Sequence, residues 1–373
     1  MNKIFPAFAL LVLLSCSETE KDTTESYKAG FKIIKAVDKS RIYKPGTDTT
    51  NYLHYRPLDI DIWYPADTPD AGSLLLFSDI LGLLEKRAGY YTAPDAGKGL
   101  TGQIAKSLCE GFKCSDSARL LNFKTKSFKN AAAAEAKFPL VIYLCAFNGM
   151  SFENFTLFEE LAAKGYVVIS INSIGRYPGE MTMKKYDLGE QVNDAMASLN
   201  VLRPNSNIDF SKIGIIGYSW GGLAGAILAS KIPGVACLIS LEGSEFHHYG
   251  EAKDENRDFD DTRYSRQFKE MHLSMPYLRL ESLPFTKADK EDSVYDFSEK
   301  LSGEKFIFKV DSTQHEDFSC LPVVVRESGN CNTHQYFNTV SKLVISFLEE
   351  HLKKESSFAA MADQEMNKTI RKK

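Results

Sequence analysis

The feature of this sequence that could do chemistry is a serine between two glycines, Gly217-Tyr218-Ser219-Trp220-Gly221. An apolar run at 213–216 precedes it, and small residues that suit a helix follow. Where a strand turns at once into a helix, the flanking backbones come close together, so the flanking positions accept only residues with little or no side chain. The serine hydroxyl then lies exposed beside a helix N-terminus. This spacing is that of a nucleophile elbow and predicts that Ser219 is a nucleophile.

A serine hydroxyl needs a base that takes its proton, and the sequence offers seven histidines. It contains no C-x-x-C, H-E-x-x-H or EF-hand pattern, so we expect neither a metal nor a cofactor. The formal net charge is −4, and no basic run stands out before the last residues. Nucleic acid is therefore not an expected partner.

The N-terminus predicts a processed leader rather than part of the fold. A positive head at Lys3 is followed by a mostly apolar run at 4–14 and by Leu13-Leu14-Ser15-Cys16. The run is too short to cross a bilayer, which takes about 20 residues. It resembles a bacterial lipoprotein signal, and the resemblance implies cleavage after residue 15, lipidation of Cys16 and a tether over 16–27. The protein would then be anchored in the bacterial cell envelope, facing the periplasm or the outside. The alternative is an ordinary secreted protein.

Six further cysteines bear on this compartment. Two lie in apolar strand patterns and are expected to be buried thiols, namely Cys145 and Cys237. Two pairs lie in segments that look like loops, and an oxidising envelope would allow them to form disulfides. These candidate disulfides are Cys109–Cys114 and Cys320–Cys331.

Hydrophobic periodicity predicts strands that alternate with helices over residues 28–354. The predicted strands are 31–36, 58–64, 139–144, 166–171, 213–216, 235–241, 277–280 and 306–310, and the predicted helices are 151–164, 188–202, 222–230 and 334–354. Two weakly patterned insertions, at about 78–137 and 244–275, are either walls or a lid over the serine or solvated additions. Residues 355–373 are predicted to be a polar tail. The fold class is therefore α/β, with a mostly parallel sheet covered by helices on both faces.

The order of these elements, with the serine elbow in the middle, resembles the α/β-hydrolase fold over residues 31–354. Within that superfamily the chain is most similar to the platelet-activating-factor acetylhydrolase and dienelactone hydrolase branch. The similarity rests on an early-strand segment at 56–66 (RPLDIDIWYPA), a third strand at 138–143 (FPLVIY), GYVV at 165–168 and IDFSKIG at 208–214.

The resemblance implies which residues assist Ser219. His315 follows the last predicted strand, in a segment at 311–318 that resembles the histidine loop of the branch, so it is the expected base. By position, the backbone N–H groups of Phe147 and Trp220 are the expected oxyanion donors. The branch usually has His-Gly after its third strand, where this chain has Cys145-Ala146. A small residue still leaves a backbone donor there.

Three carboxylates end predicted strands and could orient His315: Glu242, Glu281 and Asp311. Glu281 stands where many α/β-hydrolases carry the acid, and Asp311 would have to fold back along the loop of His315. The acetylhydrolase branch carries its acid, usually Asp, at the position of Glu242. The resemblance therefore favours Glu242, with Glu281 as the alternative.

Together these features predict an envelope-anchored serine hydrolase that cleaves small-molecule carboxylic esters through Ser219, His315 and Glu242. The same machinery could act on thioesters or on amides, as a thioesterase, amidase or peptidase. A different class would be a surface binding protein that keeps the fold without turnover. The sequence names neither the acyl nor the alcohol part of the substrate, nor an oligomeric state.

Overall fold

The computed structural model describes residues 27–67, 70, 73–93, 95–113, 116–147, 150–172, 182, 184–246, 253–282, 297–326 and 331–372, without the side chains of 254, 255 and 331–335. Its strands are β1 (Lys28–Ile42), β2 (Tyr55–Ala66), β3 (Leu74–Leu76), β4 (Lys124–Lys129), β5 (Phe138–Leu144), β6 (Val167–Ile171), β7 (Ile208–Tyr218), β8 (Val235–Leu241), β9 (Tyr277–Ser282), β10 (Lys305–Val310) and β11 (Ile370–Lys372).

These strands form one sheet in the order β11-β10-β9-β8-β7-β5-β6-β2-β1-β4-β3. The six strands from β10 to β6 run parallel, and β2 joins β6 in the antiparallel sense. A central parallel block needs helical crossovers that cover both faces of the sheet. The carboxyl ends of these six parallel strands all lie along the same edge of the sheet.

The helices that provide this cover lie between and after the strands. They are α1 (Phe77–Tyr91), α2 (Leu100–Phe112), α3 (Ser117–Leu121), α4 (Phe155–Ala163), α5 (Lys185–Leu202), α6 (Trp220–Lys231), α7 (Lys253–Arg263), α8 (Arg266–Lys269), α9 (Leu321–Val325), α10 (Cys331–Leu348) and α11 (Phe358–Glu365). Short 3₁₀ turns cover Phe297–Lys300 and His315–Phe318, and α10 continues into a π-helical turn at Glu349–Lys353. None of the described helices is long and apolar enough to span a bilayer.

The alternation of side chains along β5 shows how the core is divided. Val141 and Tyr143 point into a core shared with α4 and α10, whereas Leu140 and Ile142 point into a second core shared with α5 and α6. All four side chains are fully buried. A strand that is covered on both faces reads as one continuous apolar run, as the sequence does here.

The predicted polar tail is wrong for residues 358–372. Helix α11 buries Phe358 against Phe306 and Phe347, with ring centroids 4.9 and 5.0 Å apart. Strand β11 then pairs with β10 in the antiparallel sense and buries Ile370. The few apolar residues of this segment fall on the inward face, so the chain gains a further edge strand although its overall composition is polar.

The two predicted insertions are built into the domain where they are described. Within 78–137, α1, α2 and α3 lead to β4, which extends the sheet beyond β1. Within 244–275, α7 and α8 bury Phe259 and Phe268 in the second core. Residues 247–252 lie outside the described part of the chain.

The expected disulfides are not borne out where the structure describes the cysteines, because no disulfide joins described residues. Cys109 is buried on α2 rather than in a loop. Cys320 is a buried thiol that donates to the backbone carbonyl of Glu153, at 3.1 Å. Cys145 and Cys237 are buried thiols, as predicted. Cys114, the side chain of Cys331 and the leader with Cys16 lie outside the described residues.

Candidate active site

Ser219 sits at the junction between β7 and α6, in a conformation that side chains rarely adopt. Its φ is 54° and its ψ is −122°. A Cβ on Gly217 would collide with the carbonyl of Gly221, and a Cβ on Gly221 would collide with the carbonyl of Leu144 at the end of β5. The two glycines are therefore required by the approach of three backbone segments, and Ser219 is presented at the carboxyl edge of the sheet.

His315 reaches Ser219 from the loop that follows β10. Its Nε2 lies 3.0 Å from the Ser219 Oγ, which is hydrogen-bonding distance. Tyr218 fixes the loop, because its hydroxyl donates to the His315 carbonyl at 2.9 Å and its ring stacks on the imidazole with centroids 5.2 Å apart. The imidazole itself is exposed to solvent. The structure thus brings the predicted base into contact with the predicted nucleophile.

Glu242 follows β8 with a φ of 46°, so its backbone turns sharply at the strand end. Its carboxylate accepts hydrogen bonds from the N–H of Ser282 at 2.7 Å and from the Ser282 hydroxyl at 2.6 Å. Burial raises the pKa of Glu242, while the Ser282 hydrogen bonds and the charge of His315 act in the opposite direction. The charge of His315 thus acts on Glu242, while the hydrogen bonds that the structure describes at its carboxylate come from Ser282.

The two competing carboxylates are engaged elsewhere. Glu281 pairs with Arg279, and its other oxygen lies 3.3 Å from the Lys309 ammonium. Asp311 accepts two hydrogen bonds from Arg371, at 2.8 and 3.1 Å. The contacts described for Glu281 and Asp311 are thus with basic side chains.

The turn after β5 carries the first predicted oxyanion donor. The N–H of Phe147 has no hydrogen-bond partner among the described residues, and its ring centroid lies 6.0 Å from that of Trp220. Trp220 begins α6, so its N–H belongs to a helix N-terminus next to Ser219. Where the branch that the sequence resembles usually has His-Gly, Cys145 is fully buried and its carbonyl accepts from Gln191 at 2.9 Å. The departure is thus accommodated by packing against α5.

Sequence reasoning missed the polar groups that support this turn. Glu153 accepts hydrogen bonds from the Tyr143 hydroxyl at 2.8 Å and from the Ala146 N–H at 2.9 Å. Ser282, which holds Glu242, was missed as well. Glu153 lies inside the predicted helix at 151–164 and Ser282 lies two residues beyond the predicted strand at 277–280, so the apolar pattern gave no signal for either residue.

Among the described residues, one group has three potential metal-ligand atoms that lie within 4.8 Å of one another: Glu304, Glu350 and His351. Glu304 precedes β10, whereas His315 follows that strand, so the group lies at the opposite edge of the sheet from Ser219. Its side chains are partly or wholly exposed. Nothing connects it with the candidate active site.

Comparison with known proteins agrees with the fold described above. Residues 128–257 match the model of the dienelactone hydrolase family. The structure is similar to that of a ferulic acid esterase from Streptomyces cinnamoneus, with a TM-score of 0.61 and 18% sequence identity over 89% of this chain and 92% of that one. At this identity the likeness concerns the fold, and the α/β-hydrolase fold expected from the sequence is confirmed. No curated protein matches the chain in sequence.

Proposed function

We propose that this chain cleaves carboxylic esters through an acyl-enzyme on Ser219, on the premise of the α/β-hydrolase fold and of the match of residues 128–257 to the dienelactone hydrolase family. The family match and the structural neighbour support an ester hydrolase, the enzyme class expected from the sequence. The observation that carries the proposal is the 3.0 Å contact between His315 Nε2 and Ser219 Oγ at the elbow. A base in this position can take the serine proton as the hydroxyl attacks.

In the proposed mechanism, the Ser219 Oγ attacks the ester carbonyl and His315 takes its proton. The carbonyl oxygen becomes an oxyanion that the N–H groups of Phe147 and Trp220 stabilise. His315 then returns the proton to the leaving alcohol, and Ser219 keeps the acyl group. Water, deprotonated by His315, attacks the acyl carbon, the bond to the Ser219 Oγ breaks, and His315 returns the proton to that oxygen as the acid leaves. Glu242 is the proposed acid that orients the imidazole and stabilises its charged form.

We further propose that the protein acts from the cell envelope, held by a lipid on Cys16. This part rests on the sequence of the leader. Mass spectrometry of the mature N-terminal peptide tests it: a diacylglyceryl group on Cys16 is expected, and an unmodified residue 16 within an intact leader would contradict it.

The ester reaction is tested with purified domain and a panel of nitrophenyl esters of increasing acyl length, together with methyl ferulate, a thioester and an anilide. We expect ester turnover and covalent labelling of Ser219 by a fluorophosphonate. Ser219→Ala should abolish both, and His315→Ala should abolish turnover. A folded protein that neither labels nor turns over any ester would contradict the proposal and favour a binding role, whereas preferential turnover of the thioester or anilide would identify the other leaving groups.

A further inference from the structure

A buried glutamate lies behind the turn that carries the Phe147 N–H. Glu153 is 4% exposed, and a single carboxylate oxygen, Oε1, accepts from the Tyr143 hydroxyl at 2.8 Å and the Ala146 N–H at 2.9 Å. Its own N–H donates to the carbonyl of Met150, at 2.8 Å. Glu153 therefore holds both ends of the turn, on Ala146 before Phe147 and on Met150 after it.

The same residue and its neighbour also hold the histidine loop. The backbone carbonyl of Glu153 accepts from the N–H of Cys320 at 3.1 Å. The Asn154 amide donates to the Tyr143 hydroxyl at 2.9 Å and to the carbonyl of Phe318 at 3.1 Å. Phe318 ends the 3₁₀ turn that begins at His315. One dipeptide thus ties the end of β5, the Phe147 turn and the loop of the base together.

The carboxyl group is costly to bury, which argues for a specific role. Burial raises the pKa of Glu153 to about 7, against the hydrogen bonds from Ala146, Tyr143 and Met150 that lower it. Burial raises the pKa of Tyr218, and the charge of Glu153 raises it further, so Glu153 lies within electrostatic reach of the residue that precedes Ser219. A buried acid is retained only where its hydrogen bonds offset desolvation.

We propose that Glu153 is a positioning residue that fixes the Phe147 N–H relative to Ser219 and His315. An oxyanion donor must lie about 2.7–3.1 Å from the oxygen that becomes charged, so a turn that shifts by a fraction of an ångström loses much of its effect. Substrate binding in the ground state depends far less on this donor. The inference rests on the proposed serine hydrolase function and goes beyond it by assigning the support of the oxyanion donor.

Glu159, which lies in α4 six residues after Glu153, provides a matched control. It is also a buried glutamate, 3% exposed, with a pKa raised to about 7 by burial. Its hydrogen bonds come from the Ser127 hydroxyl at 2.6 Å and the Lys126 N–H at 2.7 Å, on β4 and away from the Phe147 turn. A purely structural role for a buried acid predicts the same kinetic outcome at both positions.

The experiment compares Glu153→Ala, Glu153→Gln and Glu159→Ala with the parent, in kcat, KM, fluorophosphonate labelling rate and melting temperature. Glu153→Ala should lower kcat and the labelling rate by roughly 10- to 100-fold, somewhat less than the direct loss of an oxyanion donor, with KM within about twofold. Glu153→Gln should recover most of this, because its carbonyl oxygen can still accept both hydrogen bonds. Glu159→Ala should lower the melting temperature and leave kcat per folded molecule unchanged.

If Glu153→Ala does not fold, Tyr143→Phe tests the same inference, because it removes the hydroxyl that Glu153 and Asn154 share. It should lower kcat by roughly 3- to 10-fold with little change in KM. Folded variants at Glu153 or Tyr143 with parental kcat and a lower melting temperature would overturn the inference. Failure of the proposed function looks different, because the parent itself would then neither turn over esters nor label at Ser219.

Discussion

Glu242→Gln is the change that tests the proposed acid most directly, because the site accommodates the amide. The amide oxygen can accept from the N–H of Ser282, and the amide NH₂ can donate to the Ser282 hydroxyl. Both partners are within 2.7 Å of the carboxylate in the parent. The sharp backbone turn at Glu242 needs no change either. We therefore expect the variant to fold and to differ from the parent mainly in the loss of one negative charge next to His315.

The expected magnitude follows from that charge. Two opposite charges roughly 5 Å apart attract each other by roughly 3 kcal/mol at an effective dielectric constant of about 20, which is the scale for a carboxylate near an imidazolium. Losing this energy in the transition state corresponds to roughly a 150-fold lower rate. An amide in the same place can also hold the wrong imidazole tautomer, which raises the loss to as much as about 10⁴-fold. We expect kcat to fall between roughly 10²- and 10⁴-fold, with KM little changed.

The assay is hydrolysis of a short-chain nitrophenyl ester, with labelling by a fluorophosphonate to count the reactive sites. Glu281→Gln and Asp311→Asn are the controls, because their carboxylates pair with Arg279 and Lys309 and with Arg371. Both controls should keep kcat, and Glu281→Gln should lose stability because it leaves buried Arg279 without one partner. Parental turnover in Glu242→Gln together with an inactive Glu281→Gln would refute the assignment and weaken the likeness to the acetylhydrolase branch.

Three further predictions concern stability and the elbow. Phe358→Ala should destabilise the fold by about 3–5 kcal/mol, because it empties a fully buried position against Phe306 and Phe347. The measurement is the midpoint of urea unfolding, which should fall. An unchanged midpoint would mean that α11 is not packed against the domain. Burial raises the Glu159 pKa from 4.5 to about 7, so the folded state holds the proton more tightly, and this stabilisation is present below about pH 4.5 and lost as pH rises to about 7. Glu159→Gln should flatten that loss in urea unfolding between these pH values, and an identical slope would contradict it. Gly221→Ala places a Cβ against the carbonyl of Leu144 and should abolish fluorophosphonate labelling, whereas a soluble variant that labels at the parental rate would refute the steric account of the elbow.

The central part of the fold could be predicted because its sequence signals are local. Strands β5, β6 and β8 and the second half of β7 are short, mostly apolar runs, and the glycines around Ser219 form a recognisable local spacing, although Gly221 is required by the carbonyl of Leu144 on β5. The strands added towards the two sides of the sheet could not be predicted in the same way. Strands β4 and β11 are rich in lysine and gain their place from pairing with β1 and β10, which are distant in sequence. Tertiary pairing overrides weak local preference at such positions.

The candidate site, like the fold, could be predicted from the sequence only in part. Ser219 and His315 meet as the motif and the chain order implied. The choice between Glu242 and Glu281 could not be derived from spacing, because both end neighbouring strands. It depends on the pleat of β9, which decides which of Glu281 and Ser282 faces Glu242. Glu281 lies two residues after Arg279, so the pleat puts both on one face, whereas Ser282 on the other face reaches Glu242.

Buried charged side chains lie next to the edge of the sheet that carries Ser219, and the apolar pattern of the sequence did not predict them. They hold the loop that contains Glu242 in place. The Arg279 guanidinium donates to the carbonyl of Gly243 at 2.7 Å and pairs with Glu245 at 2.8 Å. The Glu245 carboxylate in turn fills the space beside Gly222, where a Cβ would come within 2.5 Å of it. The loop after β8 and the first turn of α6 are therefore held together by this buried ion pair and, directly, by the hydrogen bond from the N–H of Ser244 to the carbonyl of Ser219, at 3.0 Å. Because Ser219 begins that turn and Glu242 begins that loop, these contacts restrict the distance between the proposed nucleophile and the proposed acid.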